Sequence, residues 1–449
     1  MSTRNVSIRN SREPGAGAPR LGDRLRQLRV GAGLTQSDIA GDRFSKEYVS
    51  QIERGKTRPT RETIEWLADR LGVDAGFLAN GVATDERGRL EGALARAEAL
   101  IGGERDEEAV SELEDLLPTV RSTGIPELRY RALLAYGRAL ARVGEPRRAL
   151  EPLLEARGLA ESPGFSDLER AEVLYVLGGC RVKLNSIQTA LGLLNEALAL
   201  AERSGMPCDS LRANILSWRA RCWRRTRDYV AAREDIEAAL ELANGVEDSR
   251  TVGAAYFQAS LIADREGHWM LARSYAEKAR QAYDELSDRS NVAQLTNNLG
   301  AFNFLLGNTD EAVKLLKEAF GIALELGNEA EAALAVSSLA QVHLRTGGIH
   351  EAEEQARVAT KLLQGREEYL QEFGNVQLVL GRALLEQERF DEAEAAFGLA
   401  DASFEQSESP SHRAAVWVAR GDVASRRGDD SAAATLYRNA AEALQDFRF

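Results

Sequence analysis

The segment LTQSDIAGDRFSKEYVSQIERGK, residues 34–56, contains two short helix patterns. In the first, Thr35 precedes Asp38 by three residues, the spacing of a capping box, so we expect a helix from there to about Ala40. Ser45 is a favourable N-cap for the second helix, which ends about ten residues later at a glycine. These patterns predict a unit of two short helices joined by a tight turn.

Three more helix patterns surround this unit, one before it and two after it. Pro59 and Thr60 begin the first helix after the unit, and Asp74 caps the second. The apolar residues expected on the buried faces of the three helices are Leu25, Leu28, Val30, Ile64, Trp66, Leu67, Leu71, Phe77 and Leu78. Five short helices over residues 21–81 therefore predict one small helical domain, which we call the head.

After residue 85, a second pattern recurs every 40–42 residues. An alanine recurs in phase at Ala109, Ala149, Ala190, Ala232, Ala272, Ala312, Ala352, Ala393 and Ala433. Twelve positions before each alanine stands another small residue: Ala97, Gly137, Gly178, Ala220, Ser260, Gly300, Ala340, Gly381 and Gly421. Two small positions in phase predict pairs of antiparallel helices that approach closely, and we expect neither helix to carry a bulky side chain there. The chain from residue 82 to 449 is thus predicted to be an α-solenoid of about nine hairpins.

Charge is unevenly distributed along the 449 residues, whose formal net charge is −13. Residues 1–80 contain 14 Lys and Arg against 10 Asp and Glu, whereas the remaining residues contain 43 against 60. A basic head on an acidic body is typical of a protein whose head alone touches a polyanion, although an excess of this size also arises by chance. Residues 1–20 lack an apolar period and contain Arg4, Arg9, Arg12 and Arg20, which predicts a disordered tail more readily than an arm in a DNA groove.

The composition also excludes several classes of protein. No run of eighteen apolar residues predicts a membrane span, and the first twenty residues lack the apolar core of a secretion signal. Cys180, Cys208 and Cys222 have no ligand spacing, and the four histidines are scattered, so we expect no metal and a reduced cytoplasmic location. Phosphate-binding loops, nucleophile elbows and other catalytic motifs are absent from the sequence, so neither enzymatic activity nor a cofactor is expected.

Four phrases of the head carry a family resemblance: LTQ (34–36), YVSQIERGK (48–56), LGVD (71–74) and FLANG (77–81). They resemble the λ-repressor-like, or XRE-type, helix-turn-helix family, whose members bind double-stranded DNA. The turn GDRF (41–44) is one residue shorter than is usual in that family. The resemblance implies a transcription regulator with a five-helix DNA-binding head.

The repeats resemble tetratricopeptide repeats, with a period longer than the usual ~34 residues. A head followed by such repeats resembles the RRNPP group of peptide-sensing bacterial regulators. The resemblance implies an all-α fold with a right-handed solenoid, used for dimerisation and for binding a peptide or protein partner.

The second helix of the unit is the expected recognition helix. Val49 and Ile52 lie three residues apart and are expected to face the core of the head with Phe44, because one helical turn separates them. The residues then turned outward, and expected to contact base edges, are Ser45, Lys46, Glu47 and Gln51. The family resemblance assigns the same role to Lys46, Glu47 and Gln51, although an exposed Lys-Glu pair elsewhere is usually a solvated helix face.

Contacts with the DNA backbone are expected around this helix. The residues expected to reach phosphate groups are Thr35, Gln36, Arg43, Arg54, Lys56 and Arg58. The resemblance implies the phosphate role of Gln36, and it also implies that Arg29 and Glu53 form a buried salt bridge that stabilises the head. A single head offers few base contacts, so we expect a homodimer on a two-fold operator.

In the solenoid, the first helix of each hairpin is expected to line a concave groove. Counting from the small residue, the polar residues expected to face the groove and hold a ligand are Asn214, Arg221, Arg224, Asn297, Gln341, Asn375 and Arg382. Asparagine amides can hold a peptide backbone, and arginine can bind a carboxylate through two hydrogen bonds. Polar residues that merely solvate a concave surface explain the same pattern equally well.

Trp218, Trp223 and Trp269 are expected in the hairpin core, and Cys180 and Cys222 are expected to act as small buried apolar residues.

Two kinds of function remain open. The chain is either a ligand-controlled transcription regulator or an interaction scaffold whose head serves for docking or dimerisation, and the intact DNA-contact residues favour the regulator.

Overall fold

The computed structural model describes residues 20–81, 83–103, 105–366 and 369–445. The expected tail therefore lies outside the described residues except for Arg20. The described residues form 23 α-helices and no strand: α1 Leu21–Gly31, α2 Gln36–Ala40, α3 Lys46–Glu53, α4 Arg61–Leu71, α5 Ala75–Asn80, α6 Thr84–Gly102, α7 Asp106–Ser122, α8 Pro126–Arg142, α9 Pro146–Ala160, α10 Asp167–Lys183, α11 Ile187–Arg203, α12 Asp209–Arg225, α13 Tyr229–Ala243, α14 Ser249–Arg265, α15 Trp269–Glu285, α16 Arg289–Leu305, α17 Thr309–Glu325, α18 Glu329–Thr346, α19 Ile349–Leu363, α20 Leu370–Glu386, α21 Phe390–Gln406, α22 Pro410–Arg426 and α23 Asp430–Gln445. They divide into two compact units, one ending at Cys208 and one beginning at Asp209.

The five helices of the head begin and end where the local sequence predicts. Thr35 accepts a hydrogen bond from the Asp38 backbone N–H, and the Asp38 carboxylate accepts one from Thr35, which completes the capping box. Ser45 caps α3 through the Tyr48 N–H. The fully or nearly fully buried core consists of Leu25, Ile39, Ala40, Val49, Ile52, Leu67, Ala68 and Leu78.

One apolar residue of the first helix is misplaced by the sequence prediction. Val30 is 60% exposed, whereas Leu25 is completely buried. Five residues of α-helix rotate a side chain by about 500°, which leaves Val30 about 140° away from the face that carries Leu25. The prediction that Val30 belongs to the buried face is therefore wrong.

The first and third helices of the head pack backbone against backbone at Gly22. A Cβ atom at this glycine would lie 2.5 Å from the carbonyl oxygen of Ile52 and 2.6 Å from that of Glu53. Glycine is thus required for the observed approach of α1 to the C-terminal end of α3. The position of α3 is consequently tied to α1 by a contact that tolerates no side chain.

Helices α6 to α23 form nine consecutive helical hairpins among the described residues, three in the first unit and six in the second. The in-phase alanines are all buried, eight of them completely, as are the small residues twelve positions earlier. The first helices of neighbouring hairpins also pack on each other, as α12 does on α14 and α16 on α18. No helix of the described residues is both long and apolar enough to cross a membrane.

The small position of the first helix receives a bulky side chain of the second helix, sixteen residues later. A Cβ atom at Gly137 would lie 2.4 Å from Cγ of Leu153, and one at Gly381 would lie 2.4 Å from Cε1 of Phe397. We call this packing of a bulky side chain against a small residue the interlock. It also joins Gly178 to Leu194, Gly300 to Leu316 and Gly421 to Tyr437. The expectation that neither helix carries a bulky side chain at this point is wrong, because the glycine is the space into which that side chain packs.

The turn inside each hairpin requires a left-handed residue. Five positions before each in-phase alanine, φ is positive in every hairpin whose residue there is described: Gly144, Asn185, Arg227, Gly267, Gly307, Gly347, Glu388 and Gly428. Five of these eight positions carry glycine, which adopts this conformation without strain. Arg227 and Glu388 adopt it at a cost, which shows that the packing of the two helices determines the turn.

Of the three tryptophans expected in the hairpin core, two lie near it and one does not. Trp223 donates from Nε1 to Oδ2 of Asp235 over 3.1 Å, and Trp218 lies half-buried beneath Arg221. Trp269 is 38% exposed, because it is the first residue of α15 and precedes the point at which the helices pack. The prediction of a core position for Trp269 is therefore wrong.

Two of the cysteines occupy core positions, as expected. Cys180 and Cys222 are both buried within the first helices of their hairpins. Burial raises the pKa of each thiol to about 11, since the thiolate would lose its hydration. Both side chains therefore remain protonated near neutral pH and pack as small apolar groups.

Replacing Gly381 by alanine tests the interlock. We expect G381A to destabilise the chain by about 1–3 kcal/mol, since the new methyl group overlaps the Phe397 ring. Chemical denaturation of the full chain, followed by circular dichroism, measures the change. The neighbouring Gly398 on α21 is the matched control, because a Cβ there meets no atom within 4 Å and G398A should stabilise the helix. Equal effects of the two substitutions would show that no interlock exists.

Candidate nucleic-acid interface

The recognition helix α3 is held by an apolar face that contacts the other helices of the head. Val49 is completely buried and Ile52 is 1% exposed. The Phe44 ring, in the turn before the helix, lies 5.3 Å from the Tyr48 ring and 5.1 Å from that of Trp66. This packing turns the opposite face of α3 toward solvent.

The four residues expected to contact bases all lie on that exposed face. Lys46 and Glu47 stand in the first turn of α3, directly after the cap residue Ser45. The Ser45 oxygen accepts the Tyr48 N–H over 3.1 Å, so its hydroxyl hydrogen remains available as a donor. The hydroxyl of Thr57 donates to Oε1 of Gln51 over 3.0 Å, a contact that sequence reasoning did not anticipate. This bond orients the Gln51 amide so that its nitrogen can donate outward.

Four exposed cations flank the recognition helix: Arg43, Arg54, Lys56 and Arg58. Arg43 lies 3.8 Å from Glu62 and 5.7 Å above the Phe44 ring, and both Arg43 and Glu62 are half or more exposed. An ion pair of this kind contributes little in water, so the Arg43 guanidinium can exchange Glu62 for a phosphate. The surface around α3 is therefore basic.

Glu53 at the end of α3 connects three helices of the head. Its Oε1 accepts from Nε of Arg29 on α1 over 2.6 Å, and its Oε2 accepts from Nη2 of Arg29 over 3.2 Å and from Nε2 of Gln36 on α2 over 2.7 Å. Nη1 of Arg29 donates to the Leu34 carbonyl over 2.8 Å. The side chains of Arg29 and Glu53 are 12% and 4% exposed. The salt bridge implied by the family resemblance is present, and Gln36 is an additional member.

The environment of Glu53 favours its charged form. Burial raises the pKa of this carboxyl, but the hydrogen bonds from Arg29 and Gln36 outweigh burial, and the net pKa is lowered. The same hydrogen bond from Arg29 raises the pKa of its guanidinium. Gln36 is thereby positioned at the start of α2, with its second amide hydrogen free for an outside acceptor.

Replacing Glu53 by glutamine tests this network. We expect E53Q to lower the free energy of opening of the head by about 3 kcal/mol, because Arg29 would keep a buried charge without a carboxylate. Native-state hydrogen exchange of amides in α1 and α3 of the full chain measures the change. The exposed pair Arg61–Glu65, joined over 2.8 Å, provides the control substitution E65Q, which should have almost no effect.

The network also predicts a pH dependence. Because folding lowers the pKa of Glu53, its stabilisation is complete above the ordinary carboxyl pKa and is lost as the pH falls through the lower folded value. The E53Q head should lack this component of acid sensitivity. An equal loss of protection in both chains on acidification would contradict the role of Glu53.

The residues expected to face the solenoid groove all lie on first helices of the second unit, α12, α16, α18 and α20. Asn214 donates from Nδ2 to Oγ1 of Thr251 over 2.8 Å, so it joins α12 to α14 rather than offering a free amide. Arg382 and Gln341 are exposed, and Asn375 is half-buried. The structure thus separates one residue with a structural contact from others that remain accessible.

Three of these groove residues have buried polar atoms without a partner. Among the described residues, Nε of Arg221, Nε of Arg224 and Oδ1 of Asn297 are buried and make no hydrogen bond. Oε1 of Gln258 on α14 has the same property, and sequence reasoning missed it. An unsatisfied buried donor or acceptor costs free energy, so a partner that satisfies these atoms would stabilise the chain.

Comparison with known proteins identifies both parts of the chain. Residues 20–78 match the family model of a helix-turn-helix domain, and residues 291–365 match that of a tetratricopeptide repeat. The chain is 44% identical over 64 residues to the HTH-type transcriptional regulator DdrOP3 of Deinococcus deserti, a match that covers 14% of this chain and 50% of the relative. It is 43% identical over 54 residues to the uncharacterized HTH-type transcriptional regulator y4dJ of Sinorhizobium fredii, covering 12% of this chain and 70% of that protein.

Two solved structures share the fold over most of this chain. A Rap protein complexed with competence and sporulation factor superposes with a TM-score of 0.59 at 16% identity, covering 80% of this chain and 98% of that one. The apo form of the quorum sensor NprR from B. thuringiensis gives a TM-score of 0.58 at 15% identity, covering 79% and 99%. At these identities the likeness concerns the fold alone. The chain spans about half the length of its Deinococcus relative and most of its Sinorhizobium relative. It belongs to the helix-turn-helix transcriptional regulators and carries tetratricopeptide repeats after the head.

Proposed function

We propose that this chain is a sequence-specific DNA-binding transcription regulator whose solenoid senses a peptide or protein partner and thereby controls DNA binding. The observation that carries the proposal is the exposed face of α3, where Lys46, Glu47 and Gln51 stand free of the core on a helix that is fixed from behind. Because the proposed partner is chromosomal DNA, we place the protein in the cytoplasm.

Each exposed residue of α3 has a matching base edge in the major groove. Lys46 can donate to O6 and N7 of guanine, and Glu47 can accept from N4 of cytosine. Gln51, whose carbonyl accepts the Thr57 hydroxyl, presents its amide nitrogen for acceptors such as N7 of adenine. Ser45 can donate its hydroxyl hydrogen to a base or to a nearby phosphate.

Backbone contacts would supply most of the affinity. Gln36 uses one amide hydrogen on Glu53, which leaves the other for a phosphate oxygen. Its neighbour Thr35 and the cations Arg43, Arg54, Lys56 and Arg58 surround the same surface. Two heads are needed for a long operator, so we propose a homodimer with half-sites about one helical turn apart.

Titration of DNA by fluorescence anisotropy tests the proposal. The purified full chain should bind fragments of its own upstream region tightly and resist competitor DNA. Alanine at Lys46, Glu47 and Gln51 together should weaken specific binding at least about 100-fold, since each base contact contributes about 1–3 kcal/mol. The matched control replaces Arg87 and Glu91, an ion pair on α6 outside the head, and should bind as well as the unmodified chain.

Weak binding that is indifferent to the triple substitution on every fragment would contradict the proposal and favour an interaction scaffold. Sedimentation of the complex on the best fragment measures its stoichiometry. Two chains per site are expected, and one chain per site would contradict the dimer.

The ligand groove is proposed on the first helices of the second unit. Asn297 and Gln258 each have an acceptor oxygen without a donor, and Arg221 and Arg224 each have a donor without an acceptor. A peptide backbone offers both N–H and C=O groups, so one extended segment can satisfy both kinds of atom. The accessible residues Gln341, Asn375 and Arg382 extend the same set of first helices.

The head is attached to the first hairpin by direct hydrogen bonds. Buried Arg24 of α1 donates to the carbonyl oxygens of Leu78, over 3.2 Å, and Ala79 at the end of α5. The next carbonyl, that of Asn80, accepts the N–H of Gly124 in the turn between α7 and α8 over 2.6 Å. We propose that this junction transmits movement of the first hairpin to the head, because the two elements are bonded rather than joined by a free linker.

A second link supports the same junction. Asp74, the N-cap of α5, accepts from both the backbone N–H and the hydroxyl of Thr84 at the start of α6, each over 3.1 Å. The hydrogen bond from the Phe77 backbone N–H, followed by those from Thr84, lowers the pKa of Asp74 and keeps it charged. The chain between α5 and α6 is therefore short and pinned at both ends.

Replacing Arg24 by methionine tests the junction. R24M should lower the hydrogen-exchange protection of the Gly124 amide by about thirtyfold, which corresponds to the loss of about 2 kcal/mol from charged hydrogen bonds. The control is R26M, because Arg26 is exposed two residues away on the same helix. Unchanged protection at Gly124 in the R24M chain would show that the head and the hairpin are not coupled through Arg24.

A further inference from the structure

Arg221 and Arg224 on α12 are half-buried arginines without an ion pair among the described residues. Most half-buried arginines here meet a carboxylate or a backbone carbonyl, as Arg29 meets Glu53 and Arg24 meets Leu78. Within the described part of the chain, neither Arg221 nor Arg224 forms an ion pair, and the Nε atom of each is buried without a hydrogen bond. The Nε atoms of Arg121, Arg129, Arg212 and Arg273 share the second property, but each of those side chains forms an ion pair. Two cations have thus been removed from much of their water without receiving an acceptor.

The surroundings add positive charge. Burial, together with repulsion from the neighbouring Arg225 and Arg224, lowers the pKa of Arg221 to about 10. Burial likewise lowers the pKa of Arg224, with contributions from Arg265 on α14 and from Arg225. These guanidiniums remain charged at neutral pH, so they repel one another.

One carboxylate lies near, but it does not neutralise the cluster. Asp264 on α14 attracts Arg224 and Arg265 electrostatically, yet it forms no ion pair within 4 Å with either in the described structure. Burial raises the pKa of Asp264, and the two arginines lower it only in part. Asp264 therefore leaves Arg221 and Arg224 without a bonded carboxylate in the part of the chain that the structure describes.

The Arg221 guanidinium is already oriented. Its central carbon lies 5.1 Å from the centre of the Trp218 ring, one turn earlier on α12. Stacking on an aromatic face holds the plane of the guanidinium and leaves its edge free, which reduces the entropy lost when a planar carboxylate binds through two hydrogen bonds. Arg221 and Arg224 lie three residues apart, so both reach the same side of the helix.

We infer that Arg221 and Arg224 form a carboxylate-binding site, which takes either the C-terminus or an acidic side chain of the ligand. The inference rests on the proposed function, because it specifies the chemistry of the ligand in the proposed groove. Residues that bind a ligand commonly reduce the stability of the protein alone, and two half-buried cations without an ion pair in the described structure fit that pattern.

The first test is the stability of the chain without ligand. The double variant R221M/R224M should unfold about 2 °C or more above the unmodified chain, because methionine fills similar space without the charge. R345M is the matched control, since Arg345 stacks on Phe304 at a similar 5.0 Å but is exposed. R345M should not raise the midpoint temperature of unfolding. A lower midpoint for R221M/R224M would assign the two arginines to the structure and overturn the inference.

The second test measures binding by equilibrium dialysis of the full chain against three mixtures of random hexapeptides. One mixture has free C-termini and no acidic residues, one is amidated without acidic residues, and one is amidated with a single glutamate. The unmodified chain should enrich peptides from the first or the third mixture at least tenfold over R221M/R224M. Enrichment from the first mixture would identify a C-terminus as the source of the carboxylate, and enrichment from the third would identify an acidic side chain. R221K/R224K keeps the charge but loses the paired hydrogen bonds, so it should bind more weakly than the unmodified chain.

Equal enrichment by the unmodified chain and R221M/R224M, or no enrichment from any mixture, would overturn the inference. DNA titrations on the same samples separate this result from a failure of the proposed function. A chain that binds DNA specifically but enriches no peptide contradicts only the carboxylate site, whereas a chain that fails to bind DNA contradicts the regulator itself.

Discussion

The close approach of the two helices in each hairpin is the constraint on which the solenoid depends. A glycine such as Gly381 creates a space that the Phe397 ring fills, and a methyl group there would already collide with it. Where the small residue carries a Cβ, the partner sixteen residues later is sometimes reduced instead, as at Ser260 and Ala276. Packing volume at this point is therefore kept within narrow limits, which explains why the small positions stay in phase along the array.

The same constraint determines the turns. The second helix can return to the interlock only if the chain reverses within a few residues, and this requires a residue with positive φ. At Glu388 the chain accepts the strain of a left-handed glutamate, since relaxing it would separate Gly381 from Phe397. Local backbone energy is thus subordinate to helix packing, as expected when each hairpin buries its apolar surface mainly within itself and against its neighbours.

Features that depend on neighbouring residues in the chain could be predicted from the sequence, and those that depend on distant ones could not. The cap at Thr35 is an interaction within four residues, so its pattern is visible in the sequence. The contacts of Asn214 with Thr251, and of Gln36 with Glu53, join residues 37 and 17 positions apart. No local pattern encodes such pairs. Trp269 was misplaced for a related reason, because its burial depends on where the facing helix begins.

The candidate site likewise combines predictable and unpredictable parts. Periodicity was sufficient to place Lys46, Glu47 and Gln51 outside, since Val49 and Ile52 had to face the core. The salt bridge between Arg29 and Glu53 was expected from the family resemblance, and it is present in the structure. That the buried atoms of Arg221 and Arg224 lack partners could be learned only from the packed structure, where the absence of an acceptor becomes visible.

Arg24 connects the end of α5 to α1 in the head. Arg24 binds the last carbonyls of α5, which are left without partners inside the helix, and so satisfies donor and acceptors together. Two residues before Arg24, at Gly22, the backbone of α1 lies close to the carbonyls of Ile52 and Glu53. The turn at Gly124, the end of α5, α1 and the recognition helix are consequently in direct contact one after another. Because each contact is a hydrogen bond or a close backbone approach, we propose that a displacement of the first hairpin either moves α3 or breaks one of these contacts.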